Sequence, residues 1–134
     1  MKATLGVLFA SFCLFSSAAP LLAHHSFAAE YDPNKTMQIS GTVTKVEWMN
    51  PHARFYVDVR DDQGGVTNWN FELGSITMLQ RLGWRRNSLQ VGDQVTVQGY
   101  PAKDGSKRAN ARKLLLADGR SVFAGSSADN TPAK

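Results

Sequence analysis

Histidine is the residue type most able to do chemistry in this chain, and all three copies lie in its first half: His24, His25 and His52. Two are adjacent, in Ala23-His24-His25-Ser26-Phe27, and the third closes Asn50-Pro51-His52. If an export peptidase cuts after Ala23, His24 acquires a free α-amine. Amine and imidazole nitrogens then form one chelate, and a second imidazole completes a three-nitrogen, T-shaped site. Imidazole suits copper, nickel and zinc, and Cu(II) heads the divalent affinity order. An α-amine titrates near pH 8, so a metal displaces its proton near neutrality. The further ligand is His52, held behind a proline-enforced turn, or His25 through the amine, one deprotonated amide and its own ring. Met49 adds a thioether for Cu(I). The plain alternatives are adventitious copper at a frayed terminus, and a His52 that caps a turn or stacks on Trp48. Phe27 and Tyr31 are the apolar anchors that would pin the terminus to the body of the protein.

The cut is expected because the chain opens like a targeting segment. Met1-Lys2 is a short positive start, Leu5 to Phe15 is apolar, and a less hydrophobic run ends in Leu21 at −3 and Ala23 at −1. The apolar run is too short to span a bilayer stably, although an uncleaved anchor is the alternative. Residues 1–23 are therefore read as a signal peptide, 24–125 as one domain and 126–134 as a disordered, Ser/Ala/Asn/Pro/Lys-rich tail. The location expected is periplasmic or secreted, with no transmembrane segment in the mature chain. Cys13, the single cysteine, falls in the leader, and Phe12 before it does not fit a lipoprotein signal. Disulfides, thiolate-bound zinc and cysteine nucleophiles are thereby excluded from the mature chain.

The net charge is +4, with the surplus late: Arg81, Arg85, Arg86, Lys103, Lys107, Arg108, Arg112 and Lys113. In the cytoplasm such a surplus suggests nucleic acid. For an exported protein the expected roles are anionic glycans, lipid headgroups or solvation alone, and nucleic acid is expected to be excluded.

The elements that must position these residues are mostly strands. Met37 to Trp48 reads as a long first strand in which Ile39 and Val43 share one parity and Val46 and Trp48 the other. That switch needs a bulge near Thr44-Lys45. His52–Arg60 and Val66–Leu73 form a hairpin around Asp61-Asp62-Gln63-Gly64-Gly65. Pairing Arg60 with Val66 sets Val57 opposite Trp69, Phe55 opposite Phe71, Tyr56 opposite Asn70 and Arg54 opposite Glu72. One face is then apolar and the other carries a cross-strand charge pair, a pattern that a one-residue slip destroys. Ser75 to Leu82 reads as a short helix capped by Ser75, with Ile76, Leu79 and Leu82 on one side and Gly83 ending it. Trp84 plugs the barrel end. Gln94–Tyr100 and Ala109–Leu116 are strands four and five, with a stub at Ser121–Phe123.

Three strands, a short helix and two strands predict an all-β protein: a small five-stranded Greek-key barrel of the oligonucleotide/oligosaccharide-binding (OB-fold) type. A plain five-stranded sandwich or another small barrel is the alternative. The outer face of strands two and three, with Arg54, Tyr56, Asn70 and Glu72, is a second candidate site. A Tyr flanked by Arg and Asn suits a glycan or peptide, as in an envelope adaptor, whereas the plain alternative is a solvated face held by Arg54–Glu72 pairing. Such a face also suits single-stranded nucleic acid, which the leader argues against. No nucleophile, phosphate-cradle or paired-carboxylate motif is present, so binding is expected rather than catalysis. The partners expected are an envelope protein or a small ligand.

Several landmarks act together: His24-His25-Ser26-Phe27-Ala28-Ala29-Glu30-Tyr31-Asp32, Gly41-Thr42-Val43, Trp48-Met49-Asn50-Pro51-His52, Trp69, Gly83-Trp84, Gly92-Asp93 and Asp118-Gly119. Almost the whole mature chain resembles an uncharacterised family of small exported bacterial proteins, a domain of unknown function. The resemblance implies a periplasmic or secreted location and a small β-barrel. It implies no activity and no catalytic residues.

Overall fold

The computed structural model describes residues 27–126 and Ala128. A helical turn over residues 27–30 leads into six strands and one further short helix. The strands are β1 (Met37–Glu47), β2 (Arg54–Arg60), β3 (Val66–Glu72), β4 (Gln94–Pro101), β5 (Arg108–Leu116) and β6 (Ser121–Phe123), with helix α1 (Ile76–Arg81) between β3 and β4.

The sheet order is β3-β2-β1-β4-β5-β6, and β3 also pairs with β5. That extra pairing is parallel, runs over Asn70–Arg108, Phe71–Ala109 and Glu72–Asn110, and closes the first five strands into a barrel. Every other pairing is antiparallel. Closure removes most of the exposed strand edge that an open sheet would present. This is the expected OB-type barrel, with the helix between strands three and four.

The β2–β3 register is the one the alternation predicts, from Arg54–Glu72 to Arg60–Val66. Phe55 and Phe71 stack across it with ring centroids 5.2 Å apart, and both are fully buried. The parity switch in β1 also falls where expected: Val43 pairs with Val57 but Lys45 with Tyr56, leaving Thr44 as the bulged residue. Gly41 lies where β1 presses on β2. A Cβ there would stand 2.3 Å from the Asp58 carbonyl oxygen, so only glycine fits the approach.

Ser75 caps α1, its side chain accepting from the Met78 amide at 3.2 Å. Leu79 is fully buried, but Leu82 is 44% exposed, which corrects its expected place on the inner side. The helix ends at Arg81, Leu82 is its C-cap, and Gly83 at φ 92° turns the chain away. Trp84 goes inward in its place, 3% exposed, and donates its Nε1–H to the Phe123 carbonyl at 2.8 Å.

The tail was expected to begin at residue 126, yet Ser126 is buried and hydrogen-bonded at 2.5 Å to Asn110 Oδ1. A small hydroxyl finds a partner inside where composition alone predicts solvent. The signal-peptide reading of 1–23 and the tail from 129 onward lie outside the described residues. No helix among the described residues is long and apolar enough to cross a membrane.

Candidate functional site

The last residue of β3 organises the site. Glu72 is 7% exposed and holds three partners. His52 Nδ1 lies 2.8 Å from Oε1, while Arg54 Nη2 and the Tyr31 hydroxyl donate to Oε2 at 2.6 and 3.0 Å. Strand pairing supplies two members of the group. Arg54 faces Glu72 directly across β2–β3, and His52 precedes Arg54 by two residues, after the cis Asn50–Pro51 peptide. An ionised carboxylate only accepts hydrogen bonds, so in a neutral His52 ring facing an ionised Glu72 the shared proton is on Nδ1. Nε2 then carries the ring's lone pair, on a side chain that is 43% exposed. A metal-binding histidine is commonly held this way, its other nitrogen bonded to a carboxylate that sets tautomer and orientation.

Tyr31 arrives from a different part of the chain. Residues 27–32 lie across the barrel near the end of β4. Phe27 stands edge-on to Tyr100 with centroids 5.6 Å apart and tilted to Tyr31 at 5.7 Å. Phe27, Tyr31 and Ala102 form a small buried cluster of their own, against which Tyr100 and Ala128 pack. Backbone bonds fasten the segment as well: Asp32 N–H to Pro101 O at 3.0 Å and Lys103 N–H to Glu30 O at 2.9 Å. The Lys103 ammonium also donates to the Ala28 carbonyl. Phe27 and Tyr31 thus anchor the segment as their spacing suggested. Burial, with the Glu72 carboxylate beside it, raises the Tyr31 phenol well above the ordinary tyrosine range.

Met49 is 56% exposed on the turn before His52. His24 and His25 lie outside the described residues. Among the described residues, no three of His, Cys, Asp and Glu converge as a ready metal site.

The outer face of β2 and β3 is a self-satisfied network. Arg54 Nη1 reaches Asn70 Oδ1 at 3.4 Å, and the Tyr56 hydroxyl donates to Glu47 Oε2 at 3.2 Å. Asn68 bridges Asp58 and Thr44 at 2.8 and 3.1 Å. The Lys45 ammonium stands 5.1 Å from the Tyr56 ring centroid, over its face, and pairs with Glu47 at 2.5 Å. That pairing pulls the Glu47 carboxyl below its ordinary range. Glu72 shares this face as strand parity gives it, paired with Arg54 at 2.6 Å, and Tyr31 and His52 are its further partners. The Tyr31 contact had no signal in the sequence beyond an aromatic residue seven positions after His24. The late basic surplus is likewise spread out: Lys107 sits 5.2 Å from the Trp69 ring centroid, and Arg108 pairs with Asp104 at 3.2 Å.

The model of a family of unknown function, DUF6152, matches residues 11–111, taking in β1 to β4, α1, His24, His25, His52 and Glu72. The chain belongs to this family. No curated protein matches it. Among solved structures, it is similar to the mitochondrial single-stranded DNA-binding protein Rim1 of S. cerevisiae, at 13% identity over 62% of this chain and 93% of that one, TM-score 0.49. It is also similar to the N-terminal domain of PriB from Thermoanaerobacter tencongensis, at 18% identity over 63% and 97%, TM-score 0.43. A third is a small single-stranded DNA-binding protein from Streptomyces coelicolor, at 19% identity over 64% and 94%, TM-score 0.42.

The expected exclusion of nucleic acid from the partners is corrected by this finding. It rested on the leader alone, whereas single-stranded DNA-binding proteins stand among the chain's structural neighbours. Identities this low relate folds and assign no ligand.

Proposed function

We propose that this family member is an exported metal-binding protein that takes copper, or a related divalent metal, at His52 together with the His24–His25 terminus. The observation that carries the reading is the 2.8 Å bond between His52 Nδ1 and Glu72, which leaves Nε2 as the coordinating nitrogen on a half-exposed ring. Support also comes from the anchoring of Phe27. It lies only three positions after His24, a reach of about 10 Å, and Tyr31 on the same segment hydrogen-bonds the carboxylate that holds His52. In this reading His24 supplies amine and imidazole, His52 or His25 a further imidazole, and Met49 a thioether in the Cu(I) state. The role is binding rather than catalysis, and the location is the periplasm or outside the cell.

The alternative, an adaptor that takes a glycan or peptide on Arg54, Tyr56 and Asn70, is less well supported. The Tyr56 ring face is already under Lys45, and the polar groups around it bond one another.

Cu(II) titration followed by electron paramagnetic resonance tests the metal reading, with intact mass fixing the mature terminus. A nitrogen-rich signal that weakens in His24→Ala and in His52→Ala is the expected result. A mature chain starting elsewhere than His24, or an affinity indifferent to both substitutions together, would leave only adventitious copper.

A further inference from the structure

The geometry points to Glu72 as a positioning residue: it selects Nε2 of His52 as the metal-binding nitrogen, and Tyr31 ties that setting to the docked segment 27–32. This deepens the metal reading above and rests on it. The two oxygens of Glu72 divide the work. Oε1 faces His52 Nδ1 alone, while Oε2 receives two donors, the Arg54 guanidinium and the Tyr31 hydroxyl. The Arg54 guanidinium has no acceptor, so the oxygen facing it must accept, and the Tyr31 hydroxyl donates to the same oxygen. Both therefore hold the group in one orientation, with its remaining oxygen aimed at the imidazole. Arg54 belongs to the barrel, but Tyr31 belongs to the segment that carries the mature terminus. Docking of that segment and presentation of the Nε2 lone pair thus share one carboxylate.

The arrangement makes a specific claim about Glu72→Gln, which keeps size and shape. Arg54 still requires an acceptor, so the carbonyl oxygen of the introduced amide takes its side and the NH2 faces His52. Nδ1 must then accept, and the proton moves to Nε2, the nitrogen that a metal needs bare. Long-range 1H–15N NMR of the metal-free mature chain, above the ordinary histidine range, reads the tautomer directly. We expect Nδ1–H in the wild type and Nε2–H in Glu72→Gln, accompanied by a roughly 10–100-fold loss of Cu(II) affinity. Tyr31→Phe keeps the ring in its cluster and removes one donor. It should retain the Nδ1–H form while lowering Cu(II) affinity roughly fivefold, about what one ordinary hydrogen bond contributes.

A His52 tautomer unchanged by Glu72→Gln overturns the assignment of Glu72. Cu(II) affinity unchanged by Tyr31→Phe in a copper-binding wild type overturns the tie to the segment. If wild-type protein takes up no Cu(II), the metal reading itself fails, and the metal-free NMR arm still decides whether Glu72 sets the imidazole. Should Glu72→Gln not fold, Glu72→Ala supplies the second NMR arm. With the acceptor at Nδ1 removed the ring should lose its preference and mix the two tautomers, whereas a pure Nδ1–H signal there would overturn the proposal.

Discussion

Tyr31 and Glu72 stand 41 positions apart in the chain and are joined by a 3.0 Å hydrogen bond inside the protein. The tyrosine belongs to a segment that is not part of the barrel, and the glutamate ends the strand whose parallel pairing with β5 closes it. One contact therefore reports on both the docked segment and the barrel seam.

The Tyr31 phenol should ionise above the ordinary tyrosine range. Its folded pKa is raised above the ordinary value of 10.0, chiefly by burial and then by the charge of Glu72. For a group shifted upward, the associated stability is complete below the unfolded value and is lost as pH rises toward the folded one. Unfolding free energy should accordingly decline above about pH 10. Absorbance titration near the phenolate band checks this, with Tyr31→Phe removing the late phase and flattening the alkaline decline.

Glu72 is mostly buried and ionically paired, so losing a partner matters more than the pair itself contributes. Arg54→Ala removes a guanidinium that is itself part-exposed, and water partly takes its place. The expected loss is about 1–3 kcal/mol, measured by urea unfolding. A change below a few tenths would mean that Glu72 is solvated in solution.

Gly41→Ala should destabilise by about 1–3 kcal/mol, the usual penalty for overpacking, because the added methyl meets the Asp58 carbonyl and the Val57 side chain. Both are held by the β1–β2 ladder and have nowhere to retreat. Thermal unfolding of this variant beside Gly64→Ala separates the causes. Gly64 has open space around it and only its positive φ to lose.

Metal addition and removal should register as a linked stability change. Saturating Cu(II) at about 100 times its dissociation constant adds roughly 2.7 kcal/mol, and a chelator should reverse it. His52→Ala is expected to lose most of this shift. A copper-induced rise in Tm that is equal in wild type and His52→Ala would place the metal elsewhere.

The barrel was legible because its signals are local and periodic. The alternation in Phe55, Val57, Trp69 and Phe71 admits one register, and the parity change between Val43 and Val46 announces the bulge at Thr44. Helix α1 was legible from Ser75 and Gly83, but its last inward position was not. Leu82 and Trp84 compete for one place, and the turn geometry at Gly83, rather than the spacing, decides it. The site was only half legible. His52, Arg54 and Glu72 were each singled out, yet parity put Glu72 on an open face. One of its partners there is Tyr31, a long-range contact that no local pattern encodes. The exclusion of nucleic acid failed for a related reason, since an address segment describes where a chain is sent and not what its surface fits.

The indole of Trp84 has a consequence outside the core. In the β5–β6 ladder alternate residues turn their backbone groups away from β5, and at Phe123 the carbonyl so turned is the one Trp84 occupies. Another molecule seeking to add its own strand there would first have to displace a buried indole. A buried core residue thereby also covers a backbone acceptor on the last strand of the sheet, the kind of open edge through which copies of a chain can stack.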